Sequence, residues 1–160
     1  MSSESRSPIV LVHGAWHGGW CWERVAPLLR EAAHSVYTPT LTGLAERAGL
    51  LNRETGLTTH IADIASLLEE HDLRQVILVG HSYGGMVITG VAAALPVRIG
   101  TLVYLDAFVP GAGDSVMTLL PPERAAHYAE SATLAGDGWR IPPPTAAGMA
   151  ATFSGIPKTD

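Results

Sequence analysis

The chain has 160 residues, 47% of them hydrophobic and 16% charged, with a formal net charge of −5. That balance suits one compact globular domain and excludes a disordered, solvating chain. Its ten Lys and Arg are scattered singly along the sequence, which excludes a basic face able to grip a phosphate backbone, so nucleic acid is not an expected partner.

The polar start, MSSESRSP, leads into an apolar run at residues 9–12 that is far too short for a signal-peptide core or a membrane span. A cytoplasmic protein without membrane contact is therefore expected. Four short apolar runs, at residues 9–13, 34–39, 76–80 and 101–106, lack alternation, as parallel strands covered on both faces do. Helical periodicity lies between them. It runs over about 25–33, where Pro27 is tolerable only in the first turn. It returns where Ile61, Ile64, Ala65 and Leu68 share a face and Thr58 or Thr59 is available as a cap, and again over about 84–95, ending at Pro96. Strand and helix in alternation predict an α/β fold: a doubly wound, mostly parallel sheet with right-handed crossovers.

Beyond Phe108 the pattern changes. Residues 109–113 are turn-rich, 121–131 form a candidate short helix, and 136–160 are rich in Gly, Pro and Ala, with no fifth strand and no internal repeat. The lone Cys21 can form no internal disulfide and has no partners at zinc-ligand spacing, so it reads as a small packed side chain.

The stretch VILVGHSYGG, residues 76–85, carries the chemistry. Gly80-His81-Ser82-Tyr83-Gly84 fits G-x-S-x-G, in which a serine sits at a sharp strand-to-helix turn with its hydroxyl raised above the sheet. Side chains two residues before and after it would collide with neighbouring backbone, so only glycine fits there. The bare pattern arises by chance roughly 0.1 times in a chain of this composition. The apolar strand before it and the helix after it supply the context that the motif needs. A serine nucleophile also needs donors for the oxyanion. The Tyr83 N–H, at the start of the following helix, is one candidate. The second is expected from HGAWHGGW, residues 13–20, because a first strand paired between the second and the third opens its loop into the same crevice. Trp16, Trp20, Trp22 and Tyr83 gather aromatic surface around that crevice, although Trp22 is also at helical spacing with Val25 and Leu29 and so reads as core. Phe108, Met117, Leu119 and Leu120 are further candidate wall residues.

HGAWHGGWCW, LTGLAERA, LTTHIADIASLLEE, VILVGHSYGGMVITGVA and LVYLDAFVP, spread in order over residues 8–125, together resemble the α/β-hydrolase superfamily. The likeness is to its branch of small esterases related to plant methyl-ester esterases and hydroxynitrile lyases. The resemblance implies Ser82 as nucleophile, Ala15 and Tyr83 as oxyanion amides, Gly14, Trp16 and Phe108 against the substrate, a small hydrophobic ester as that substrate, and no metal or organic cofactor. It also implies a single α/β-hydrolase domain over 1–160, incomplete, with a cap beginning at about 109–135 and a tail over about 136–160. Lyases of the branch carry Thr where this chain has Gly14, so Gly14 reads as an esterase feature.

One part of the pattern is missing. The fold's chain order is Ser, then Asp or Glu, then His, yet six of the seven histidines stand at or before His81. His127 alone follows Ser82, within a candidate helix, and reads as a surface residue. Asp106, at the carboxyl end of a strand, is a candidate acid, with local capping as the plainer reading. The chain is accordingly expected to be the N-terminal part of a longer hydrolase, a poor enzyme alone, and prone to self-association through the unpaired edge of its last strand. Cyanohydrin cleavage on the same fold, or ligand binding without catalysis, are the alternatives.

Overall fold

The computed structural model describes residues 6–145. They divide into two compact units, one ending at Leu120 and the other beginning at Pro121. The first unit carries β1 (Ile9–Val12), α1 (Ala26–Glu31), β2 (Val36–Tyr37), α2 (Leu57–Glu70), β3 (Val76–Ser82), α3 (Gly84–Ala94), β4 (Ile99–Ala107) and the single turn α4 (Val116–Leu119). Short 3-10 segments occupy Gly19–Trp22, Ala45–Leu50 and Pro96–Arg98. All four strands are parallel, in the order β2-β1-β3-β4. The second unit holds α5 (Pro122–Ala135), one turn longer than the predicted 121–131. Much of the predicted tail, from residue 146 on, lies outside the described residues.

Side chains of a strand alternate between its faces, and here the alternation divides the core in two. Val10 and Val12 of β1 with Val76 and Leu78 of β3 pack against Ile64 and Leu68 of α2 and Val87, Ile88 and Val91 of α3. Ile9 and Leu11, joined by Ile77 and Val79, pack on the opposite face against Trp22, Ala26 and Val36. Both faces of β1 and β3 are thus covered, which is why these strands read as unbroken apolar runs. Trp22 is core, and the half-buried Cys21 packs beside it.

Three expectations need correction. β2 is two residues long rather than six, because the chain turns off at Thr38–Pro39: the Thr38 carbonyl closes on Gly19 and proline has no N–H to continue a ladder. Neither Thr58 nor Thr59 caps α2. The cap is Gly56, and Thr59, a turn inside the helix, accepts the Gly56 N–H through its hydroxyl at 3.3 Å. Finally, β4 is not buried on both faces. Leu102 and Tyr104 pack on the α2/α3 core, while Val103 and Leu105, pointing the other way, are 37% and 48% exposed. No described helix is long and apolar enough to cross a membrane, and no described cluster of His, Cys, Asp and Glu could hold a metal.

His13, directly after β1, is completely buried. Its Nδ1–H donates to the Gly14 carbonyl at 2.8 Å and its Nε2 accepts the Leu41 N–H at 3.1 Å, so the ring is held neutral. Loss of solvation pushes its pKa below the usual 6.5, as it does for His81. The unfolded chain therefore takes up protons near 6.5 that the folded chain refuses. The contribution is complete above that pH and lost as pH falls through and below it, by at most about 1.4 kcal/mol per pH unit for each group. Urea midpoints are expected to fall between pH 7.5 and 5.5; an unchanged midpoint would contradict this account.

Candidate active site

β3 ends in a bend. Ser82 has φ +52°, a left-handed conformation that side chains other than glycine adopt at a cost, and Tyr83 turns directly into α3 with φ −56° and ψ −30°. Two glycines make the bend possible. A Cβ on Gly80 would lie 2.6 Å from the Gly84 carbonyl oxygen, and one on Gly84 would lie 2.6 Å from the Val12 carbonyl oxygen. Strand, helix and neighbouring strand thus approach one another through missing side chains. A third glycine, Gly85, faces the Phe108 carbonyl in the same way.

The loop after β1 meets this bend through Gly14, where a Cβ would be 3.1 Å from Ser82 Cβ and 3.2 Å from His81 Nδ1. Ala15 follows, its carbonyl accepting the His17 Nδ1–H at 2.8 Å, and Trp16 turns the loop with φ +62°. The N–H groups of Ala15 and Tyr83 donate to no described residue, while the His17 and Gly19 N–H groups donate to the Gly14 carbonyl and the Thr40 hydroxyl. On the β4 side, the Phe108 N–H donates to the Ser82 carbonyl at 3.1 Å. Gly14, Tyr83 and Phe108 therefore all border Ser82, and Ala15 follows Gly14 in the loop.

Other predicted residues stand apart. Asp106, exposed and at φ +43°, follows an irregularity in the β3/β4 register, where Ser82 pairs with Ala107. Its carboxylate makes no hydrogen bond among the described residues, so the capping reading finds no partner. Its negative charge favours a protonated His81 ring, yet burial outweighs it and pulls the His81 pKa down. The His81 ring lies edge-on to His17 and Trp22, at 6.4 and 6.5 Å. None of the six histidines in the first unit hydrogen-bonds the Ser82 hydroxyl. His127 lies in α5 of the second unit, exposed, its ring beside Tyr128.

The aromatic lining is also thinner than the sequence suggests. Trp20 is 54% exposed and tilts against His17, and Trp22 belongs to the core. The Tyr83 ring packs inward against the α2/α3 core, its hydroxyl 2.8 Å from His60 Nδ1. Burial pushes the Tyr83 phenol far above its usual range. His60 was not among the predicted site residues; its only signal was a polar residue on the apolar stripe of α2, four before Ile64.

Residues 9–158 match the family described as "Alpha/beta hydrolase family". The chain is 57% identical to a carbendazim hydrolyzing esterase of Nocardioides sp. (strain SG-4G), over 74% of this chain and 51% of that protein. It is 35% identical to methylesterase 1 of Arabidopsis thaliana, over 69% of this chain and 43% of that one. The chain thus spans about half the length of the curated relatives it matches. Among solved structures it resembles an extracellular alpha/beta-hydrolase from a Paenibacillus species, described as sharing structural and functional homology with tobacco salicylic acid binding protein 2. That likeness has a TM-score of 0.78 and 28% identity, and covers 94% of this chain and 66% of the other.

Proposed function

The chain belongs to the alpha/beta hydrolase family, and on that premise we propose that it hydrolyses small carboxylic esters through Ser82. The observation that carries this reading is the left-handed bend at Ser82, enclosed by Gly80, Gly84 and Gly14. A hydroxyl in that position forms a bond from Oγ to the ester carbonyl carbon, and its proton passes to a base and then to the departing alcohol oxygen. Water then cleaves the acyl-serine, releasing the acid and restoring the hydroxyl. Ala15 and Tyr83 are the proposed oxyanion donors: their N–H groups donate to no described residue, and the Tyr83 amide gains from the positive end of α3. Gly14, Trp16 and Phe108 are the proposed substrate contacts, and Asp106 the candidate acid.

No base is assigned within the chain. Full turnover is expected in a longer polypeptide that supplies a histidine, and the 160-residue chain alone is expected to be slow. The test is covalent capture. An aryl fluorophosphonate, from which Ser82 Oγ displaces fluoride, should leave an adduct that mass spectrometry maps to the peptide containing Ser82. An adduct on another residue, or none in a form that hydrolyses methyl esters, would overturn the assignment.

The outer edge of β4 carries no strand among the described residues, and Val103 and Leu105 stand exposed beside it. Such an edge is a template for another strand, and we propose that a second copy of the chain occupies it. Light scattering should show size growing with concentration, and a Val103→Lys, Leu105→Lys variant should remain monomeric. A wild-type chain that stays monomeric throughout would refute the proposal.

A further inference from the structure

A partly buried hydrogen-bond relay centred on His60 reaches the residue after Ser82 and joins three parts of the first unit. The Thr42 carbonyl lies 2.9 Å from His60 Nε2. A carbonyl can only accept, so Nε2 carries the proton and Nδ1 is left as an acceptor. The Tyr83 hydroxyl, 2.8 Å from Nδ1, is therefore the donor. His60 is 8% exposed, and a half-made polar pair at that depth would be costly. Both of its nitrogens are used.

Thr42 is itself immobilised. Its N–H and hydroxyl both donate to Asp63, at 2.7 and 2.8 Å, and Arg47 bridges from that carboxylate to the Thr40 carbonyl. The two residues before Thr42 hold the opposite side of the bend. The Leu41 N–H donates to His13 Nε2, and the Thr40 hydroxyl accepts the Gly19 N–H at 2.8 Å. His13 and Gly19 bracket the loop that contains Gly14 and Ala15. Residues 40–42 are thus tied on one side to the loop after β1 and on the other, through His60, to the residue that follows Ser82.

We propose that His60 is a positioning residue for hydrolysis: by joining the Tyr83 hydroxyl to the Thr42 carbonyl, it sets the Tyr83 amide relative to the loop bearing Ala15. The proposal rests on the assignment of Ser82 as nucleophile. Stabilisation of an oxyanion depends on where two donors stand relative to each other, and displacements near 1 Å cost large factors in rate. An apolar pair at positions 60 and 83 would fill the same space, but it would not fix the direction of the Tyr83 peptide.

The test compares Tyr83→Phe, His60→Leu, the double variant and His60→Gln, whose amide can both donate to Thr42 and accept from Tyr83. The readout is phosphonylation of Ser82 by the fluorophosphonate, separating the maximal rate from the half-saturating concentration. The two single variants should lose about tenfold or more in maximal rate with half-saturation unchanged. The double variant should be no slower than either single one, and His60→Gln should recover most of the rate. Independent, multiplying losses, or a lowered urea midpoint with an unchanged rate, would overturn the proposal. Nitrogen-15 NMR of the His60 ring reads the relay without the probe: a proton on Nδ1 instead of Nε2 would refute it. If wild type forms no Ser82 adduct, the hydrolytic reading fails, and the ring tautomer still reports whether the relay exists.

Discussion

Replacing Ser82 by alanine is expected to abolish covalent capture by the fluorophosphonate and to lower ester hydrolysis by about 10⁴-fold or more, the usual scale for loss of a serine nucleophile. Substitution by glycine should have the same chemical effect and a second, opposite one. Ser82 holds φ +52°, and an L-residue in that region carries roughly 1–2 kcal/mol of strain that glycine does not. Ser82→Gly should therefore raise the urea midpoint, by about 1 kcal/mol once the greater freedom of glycine in the unfolded chain is counted. An inactive but more stable protein is the signature of a strained functional bend. Retained labelling in Ser82→Ala would remove Ser82 from the chemistry, and an unstrained bend would show itself as a Ser82→Gly variant less stable than wild type.

The second large effect concerns Gly84. An alanine Cβ there would lie 2.6 Å from the Val12 carbonyl oxygen and 3.0 Å from that of His13. Both atoms are backbone, on or next to the central strand β1, so no side-chain rotation relieves the contact. Either α3 moves outward or β1 shifts in the sheet, and both disturb the larger of the two core clusters. A cost of about 3 kcal/mol or more is expected, a large share of the total stability of an ordinary domain. Gly49→Ala is the control: a Cβ there meets nothing within 4 Å, and its urea midpoint should stay within about 0.5 kcal/mol of wild type. Equal behaviour of the two variants would show that Gly84 is not a packing requirement.

What could be read from the sequence was local in cause. β1 and β3 announce themselves because burial on both faces removes polar residues from every position, and the bend at Ser82 does so because its glycines lie within five residues. Pro27 in the first turn of α1 and Pro96 after α3 act through the backbone of their own segments and fell where expected. The outer face of β4 was not legible, since an apolar run records a strand's composition and not what lies against it. The two directions of the aromatic residues were hidden for a similar reason: Tyr83 continues the motif, yet its ring turns to the core. The least visible feature was the tie through residues 40–42. Its links, Thr42 to His60, His60 to Tyr83 and Leu41 to His13, span 18, 23 and 28 residues, and no periodicity or short motif relates residues at such separations.

The hydrogen bond from the Phe108 N–H to the Ser82 carbonyl has a consequence for how the molecule could be altered. Because the connection leaving β4 is pinned at its first residue, with Gly85 packed beneath the Phe108 carbonyl, the chain after that point begins from an anchored origin. Segments beyond Phe108 could then be lengthened, shortened or exchanged while the geometry upstream is preserved. Redesign of substrate preference has a natural splice point there, and libraries diversified downstream of position 108 should retain a working bend far more often than libraries diversified within it.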